Sequence, residues 1–124
     1  MKVNNYKELI VWQKSMELAK KIYFLTSHLP KEEKNGFCSQ MQRAGVSIPS
    51  DIAEGAKRNY TLEFIHMLST ASGSAAELET QLLLTQEIYA NPDLDEHFKD
   101  CLNLTDEVLK MLYSLIKALK SSVR

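Results

Sequence analysis

Only one pattern in this sequence is typical of metal chemistry, a glutamate followed three residues later by a histidine. Glu63 and His66 form this E-x-x-H pattern, which di-iron proteins carry on two helices of a four-helix bundle. A complete site needs a second copy, yet the other histidines, His28 and His97, each have leucine three residues earlier. The sequence therefore predicts no metal, no cofactor and no catalytic residue. A carboxylate-bridged metalloenzyme using Glu63 and His66 is the enzymatic alternative.

Three basic residues bracket one stretch of the sequence. Arg43 precedes the stretch, and Lys57 and Arg58 follow it. Such side chains bind the phosphates of nucleic acids, but they also form surface ion pairs with carboxylates such as Glu54. The formal net charge of −1 favours the ion pairs, because nucleic-acid binding depends on an excess of positive charge. Arg43, Lys57 and Arg58 are therefore candidate contacts to RNA, DNA or a protein partner, with intramolecular ion pairs as the favoured alternative.

The bracketed stretch has the apolar spacing of a helix but contains a proline. Its inward positions, at steps of three and four, are Ala44, Ile48, Ile52 and Gly55, and they continue the spacing of Phe37 and Met41 just before it. Pro49 cannot donate to the carbonyl of Gly45, which predicts a kinked helix. A break into two short helices is the alternative, because proline disfavours the α conformation at Ile48. Val46, Pro49 and Ala53 point away from the inward face and are candidate oligomer contacts.

Three further amphipathic segments accompany this one. The predicted helices run from Tyr6 or Lys7 to about Ser27, from Lys31 to between Gly55 and Asn59, from Thr61 to about Tyr89, and from Asn91-Pro92 to about Lys120. Thr61 and Asn91 are residue types that cap helix N-termini, and Pro92 suits a first helical position. Helices of this length with short connections predict an all-α fold. The expected architecture is an antiparallel up-down-up-down four-helix bundle with a proline-kinked second helix.

Apolar periodicity also predicts which residues form the core and which apolar residues remain exposed on the surface. The large residues predicted to be buried are Trp12, Tyr23, Phe64, Leu68, Leu78, Leu82, Phe98 and Leu112. The first helix has two apolar stripes, one through Trp12 and Tyr23 and one through Leu18 and Leu25. Surplus apolar surface of this kind on a soluble chain usually meets a partner. In the third helix, the small residues around Gly73 predict close packing by another helix.

Composition bounds the class of protein. The chain has 124 residues, 44% of them hydrophobic and 25% charged, which predicts one globular domain over residues 1–124. Since no apolar run is long enough to cross a membrane and the N-terminus carries no secretory signal, we expect a cytoplasmic protein without a membrane segment. Cys38 and Cys101 lie far apart in the sequence and are predicted to be reduced, partly buried thiols.

Several short motifs resemble one family of proteins. The matching motifs are Val11-Trp12-Gln13, Leu29-Pro30-Lys31-Glu32, Arg43-Ala44, Val46-Ser47-Ile48-Pro49-Ser50, Ile52-Ala53-Glu54-Gly55, Glu63-Phe64 and Glu77-Leu78-Glu79. On these residues the chain resembles the four-helix-bundle proteins related to the 23S rRNA intervening-sequence protein and to the accessory variability protein of diversity-generating retroelements. The match runs from about Tyr6 to Tyr89 and is most specific in the Ser-Ile-Pro-x-x-Ile-Ala-Glu-Gly run.

The resemblance implies a bundle that assembles as a homo-pentameric ring. The retroelement relative implies a basic barrel that binds nucleic acid and a reverse transcriptase. This chain departs from the pattern in having Asp51 where asparagine is frequent, and in its slightly negative net charge. We therefore expect a non-catalytic oligomeric protein that acts as an adaptor for nucleic acid or a reverse transcriptase. The alternative is a protein-interaction module that binds no nucleic acid.

Overall fold

The computed structural model describes residue 3 and residues 5–123, and within them every regular element is helical. The four long helices are α1 (Ile10–Thr26), α2 (Ser39–Lys57), α3 (Thr61–Ile88) and α4 (Asp95–Ser121). Short helical turns precede three of them, at Tyr6–Glu8, Lys31–Glu33, Lys34–Cys38 and Pro92–Leu94. The prediction of an all-α protein with four helices is confirmed.

Each long helix packs against its neighbours in sequence, and α1 also packs against α4. The amide of Gln42 donates to the Thr26 hydroxyl over 3.0 Å, which joins the start of α2 to the end of α1. The rings of Phe24 and His97, 4.9 Å apart, join the end of α1 to the start of α4. Residues 58–60 alone connect α2 to α3, so the chain reverses direction there. Lys14 and Phe24 of α1 contact Glu107 and His97 of α4 in reverse order along the two helices, so α1 and α4 run antiparallel.

The core follows the predicted seams closely. The seam of α3 is buried at Phe64, Leu68, Ala71, Ala75, Leu78, Leu82 and Thr85, and the seam of α4 at Phe98, Cys101, Thr105, Val108, Leu112 and Leu119. Two of the residues predicted to be buried are more exposed in the structure than predicted. Trp12 is only half-buried, and the prediction for Tyr23 is wrong, because this side chain is 51% exposed. Both lie on the α1 stripe that faces away from α4, so the core does not reach them.

Helix α2 continues as one α-helix through Pro49. The alternative of two short helices is therefore excluded, whereas the kink stays a prediction. The Ser47 hydroxyl donates to the carbonyl of Arg43 (2.9 Å), and the Ser50 hydroxyl donates to that of Val46 (2.8 Å). These bonds are local to the turns beside the proline, so the helix tolerates a residue that has no N–H to donate.

The ends of the helices confirm one predicted cap and correct another. The Asn91 side chain accepts from the N–H of Asp93 over 3.0 Å, as predicted. Thr61 is the first residue of α3 rather than its cap, since Tyr60 holds the cap position with extended backbone. Before α2, the Glu33 carboxylate accepts from the N–H of Phe37 and from the hydroxyl of Tyr89. This carboxylate ties the start of α2 to the end of α3.

Among the residues that the structure describes, none of the helices combines the length and the apolar character that a bilayer crossing requires.

Candidate functional site

An apolar groove of about 600 Å³ lies between α1 and α2. Its lining residues are Tyr6, Trp12, Met16, Ala19, Lys20, Tyr23, Val46, Pro49, Ser50 and Ala53. Lys20 is the one charged residue among them. We call this surface the α1/α2 groove. It combines the surplus stripe of α1 with the three outward residues of α2 that the sequence singled out.

The two stripes of α1 explain why the groove exists. The stripe through Val11, Ser15, Leu18, Ile22 and Leu25 is buried in the bundle. The neighbouring stripe through Trp12, Met16 and Ala19 is half-buried and ends at the exposed Tyr23. A helix of a soluble bundle needs only one apolar face for its own core. The second stripe of α1 therefore leaves apolar surface beside α2 that the chain itself does not cover.

The three candidate oligomer contacts on α2 differ in exposure. Val46 is 44% exposed and Ala53 is half-buried, but Pro49 is buried. The expectation that Pro49 points outward is thus only partly right. Pro49 is buried yet lines the groove, so it contributes to the floor, while the more exposed Val46 and Ala53 form the wall. A partner seated in the groove would meet the apolar surface of all three.

The aromatic side of the groove is ordered by contacts within the chain. Tyr6 lies on the short turn before α1, and its ring packs edge-on against the indole of Trp12 with centroids 5.5 Å apart. Edge-to-face pairs of this kind favour a fixed arrangement of both rings. The Asn5 side chain accepts from the N–H of Lys7 and caps that turn. One end of the groove is therefore a preformed aromatic wall.

The three candidate cations do not form one site. Arg58 forms ion pairs with Glu54 (2.6 Å) and Glu63 (3.2 Å), and its hydrogen bond to Glu54 raises the pKa of the guanidinium. This outcome matches the ion-pair alternative. Arg43 and Lys57 are exposed, and within the described residues neither has a carboxylate in ion-pair range. They lie 14 positions apart on α2, which separates them by about 21 Å along the helix axis.

The sequence of the chain matches a known protein family. Residues 7–114 fit the family model of the 23S rRNA-intervening sequence protein. The chain belongs to this family. The matched range covers all of α1, α2 and α3 and most of α4, so the helices that form the groove lie wholly inside it. No curated protein matches the chain.

A crystal structure at 1.70 Å resolution provides a structural relative. It is described as a protein of unknown function from the S23 ribosomal protein family of Bacteroides thetaiotaomicron. The two chains are 31% identical, and the match covers 87% of this chain and 96% of the other with a TM-score of 0.78. The likeness extends over nearly the whole bundle, and its description names no activity.

The family's specific run also contains a tight contact between α2 and α3. A Cβ atom added at Gly55 would lie 2.7 Å from the Cβ of Met67 and 3.0 Å from a ring carbon of Phe64. Real side chains do not approach this closely. Glycine is therefore required at this point because α3 crosses directly over it. Four residues earlier, burial and then the charge of Glu54 raise the pKa of Asp51, at the position where the resemblance expects asparagine.

The E-x-x-H pair does not make up a metal site with its neighbours. Glu63 accepts from the guanidinium of Arg58, and His66 is exposed. In the part of the chain that the structure describes, no three side chains of His, Cys, Asp or Glu gather closely enough to hold a metal ion. A carboxylate engaged by arginine and a solvent-facing imidazole are typical of a helix surface. The prediction that the protein binds no stoichiometric metal stays a prediction for elemental analysis.

Sequence reasoning missed a ring cluster on the surface and the burial of one side-chain amide oxygen. Phe24, His28 and His97 form a partly exposed ring cluster, in which Phe24 lies 4.7 Å from His28 and 4.9 Å from His97. No sequence signal joins them, because the two histidines lie on different segments far apart in the chain. The side-chain oxygen of Gln81 is buried and has no hydrogen-bond partner among the described residues. Its position beside Leu82 in the seam was the available signal.

Proposed function

We propose that this protein is a non-catalytic interaction module that assembles with copies of itself through the α1/α2 groove. The observation that carries the proposal is an apolar groove of about 600 Å³ whose walls include the exposed Tyr23 and Val46. Large exposed apolar patches mark interaction sites on soluble proteins. The groove also holds the aromatic residue types that are enriched where protein surfaces bind one another.

The proposed assembly is a ring of five copies. Support for this number comes from the resemblance to the intervening-sequence family, and the same resemblance motivates a role as an adaptor. A ring arises when one surface of a subunit binds a different surface of the next and the rotation between them closes. We place this assembly in the cytoplasm and treat residues 1–124 as one domain.

Light scattering coupled to gel filtration tests the proposal at micromolar concentration. We expect a mass of five chains for the unchanged protein and a much lower mass for Val46→Asp, because a carboxylate in the apolar wall loses its hydration on assembly. Gln40→Asp is the matched control, since it adds the same charge at an exposed position of α2 outside the groove. A monomeric mass for the unchanged protein would refute the proposal.

Pro49→Ala probes the floor of the groove separately from its wall. Alanine is a far better residue than proline in a helix interior, so the variant should fold at least as well as the original. Because the ring that shapes the floor is gone, the assembly should dissociate at a higher protein concentration. An unchanged dissociation curve would show that the floor does not contribute.

Nucleic-acid binding is the second candidate function, favoured by the absence of ion-pair partners for Arg43 and Lys57 among the described residues. In a symmetric ring these two cations would recur on every subunit. Fluorescence anisotropy with labelled RNA should then show affinity that falls with salt, with a slope of roughly 0.7 for each single-strand phosphate contacted. The double variant Arg43→Gln, Lys57→Gln should flatten that slope. Binding that is absent at low salt would eliminate this candidate.

A further inference from the structure

The outward side of α3 is an uncovered apolar face opposite the buried seam. Its exposed positions recur at steps of three and four and include Leu62, Ser69, Gly73, Ala76, Thr80 and Leu83. Leu62 is 65% exposed and Leu83 is 49% exposed. Charged residues usually dominate a helix face that meets water, whereas this face has a single charged residue in the same register, Glu87 at its C-terminal end. We call this surface the outer face of α3.

Nothing within the chain packs on the middle of this face. A Cβ atom added at Gly73 would have no heavy atom within 4 Å. No helix of the same chain therefore provides the close packing that the sequence predicts at Gly73. Glycine weakens a helix interior relative to alanine, and at this position no contact inside the chain accounts for it.

The charges of the two uncovered surfaces are complementary. Helix α3 contains no lysine or arginine, and the exposed Glu77 and Glu87 lie along its outer face. The α1/α2 groove carries Lys20 in its lining. Arg43 and Lys57 continue the α2 stripe of Val46, Ser50 and Ala53 at helical spacing, so they lie at the two ends of that wall. An acidic apolar helix therefore fits a groove edged by cations better than it fits a second copy of itself.

We propose that the groove of one copy binds the outer face of α3 of the next copy, an inference that rests on the proposed self-assembly. Helix α1 packs on α2 and α4, which places α3 diagonally across the bundle from it. The groove and the outer face of α3 thus lie on different sides of the molecule. A contact between two different surfaces is heterologous and propagates from copy to copy until it closes into a ring. The small residues Gly73 and Ala76 let the helix backbone approach the groove.

Two variants that each remove one surface test this pairing. Val46→Asp disables the groove and keeps the outer face of α3. Gly73→Arg disables the outer face and keeps the groove, and it should fold because its side chain enters open space and arginine favours helix more than glycine does. Asn103→Arg on α4 is the matched control, since it adds the same charge at an exposed position outside both surfaces.

Light scattering on each variant and on their equimolar mixture gives the decisive result. We expect each variant alone to have the mass of one chain and the Asn103→Arg control to keep the mass of the unchanged protein. The mixture should have the mass of two chains, because one intact groove and one intact outer face remain and can form a single contact. If circular dichroism shows that Gly73→Arg is unfolded, Thr80→Arg on the same exposed face replaces it.

Each other outcome overturns the pairing in a recognisable way. If Gly73→Arg keeps the mass of the unchanged protein, the outer face of α3 is not the contact, although the proposed self-assembly stands. If each variant alone has the mass of two chains, each surface binds its own equivalent rather than the other. If both variants are monomeric and their mixture also stays monomeric, the two surfaces do not bind each other. A monomeric unchanged protein would overturn the pairing together with the proposed function.

Discussion

Replacing Gly55 by alanine should destabilise the bundle, although alanine is the better helix former. The new Cβ would lie 2.7 Å from the Cβ of Met67 and 3.0 Å from a ring carbon of Phe64, whereas carbon atoms pack best at about 3.5–4.0 Å. The Cβ of Met67 is fixed to its backbone, so α3 itself must move. Such overpacking costs about 1–3 kcal/mol, and the helix propensity returns about 0.5–1 kcal/mol. The expected net loss is about 1 kcal/mol, the middle of the range that these two terms give.

Gly45→Ala on the same helix is the matched control for this prediction. A Cβ atom there would meet Ile22 at 3.7 Å and Ala19 at 3.8 Å, which is ordinary packing distance, so the helix propensity should stabilise the protein by about 0.5–1 kcal/mol. Urea denaturation at one fixed protein concentration should therefore show a lower free energy of unfolding for Gly55→Ala than for the unchanged protein, and a higher one for Gly45→Ala. Equal or higher stability of Gly55→Ala would refute the close crossing of α2 and α3.

Three further predictions concern single side chains. Asp51→Asn should stabilise the protein at pH 7 by less than about 1 kcal/mol, since solvent screens this half-exposed carboxylate. Burial and the charge of Glu54 raise the pKa of Asp51 in the folded state, so the contribution of Asp51 to stability falls as the pH rises through that pKa. The difference in stability between the two proteins should therefore vanish below the ordinary pKa of aspartate. A stability gain that does not depend on pH would contradict the raised pKa as its cause. Burial raises the pKa of Cys101 to about 11, so Ellman's reagent at pH 8 should label it far more slowly in the native protein than in denaturant. Leu78→Ala should cost about 2–5 kcal/mol in urea denaturation, because Leu78 is fully buried in the α3 seam; a loss below 1 kcal/mol would argue against that seam.

Periodicity predicted the core well because burial in a helical bundle follows the turn of the helix. The seams of α3 and α4 needed only the alternation of three and four residues. The same reasoning found both stripes of α1 but could not rank them, because each is apolar and correctly spaced. Only the packing of the helices decides that Leu18 faces the core and Tyr23 faces the groove. This is why the sequence predicted Tyr23 to be buried and the structure places it in solvent.

The apolar residues on each side of the groove were predictable from the sequence, but the fact that they line one groove was not. Val46 and Ala53 stood out as apolar residues opposite the inward face of α2, and the surplus stripe of α1 stood out separately. That they line one groove depends on how α1 rotates against α2, which no local pattern encodes. Gly73 was open to two interpretations for the same reason: a small residue permits close packing by a helix of the same chain or of another copy. The environment of the residue excludes the first.

The accessibility of Trp12 in the assembled protein tests the central claim most directly. Trp12 is the only tryptophan of the chain and lines the α1/α2 groove, so its fluorescence reports on that surface alone. If copies of the protein assemble through the groove, acrylamide should quench the unchanged protein several-fold less efficiently than the dissociated Val46→Asp variant at equal concentration. Equal quenching of an assembled unchanged protein and a monomeric variant would show that the groove stays open to solvent, and would contradict the claim.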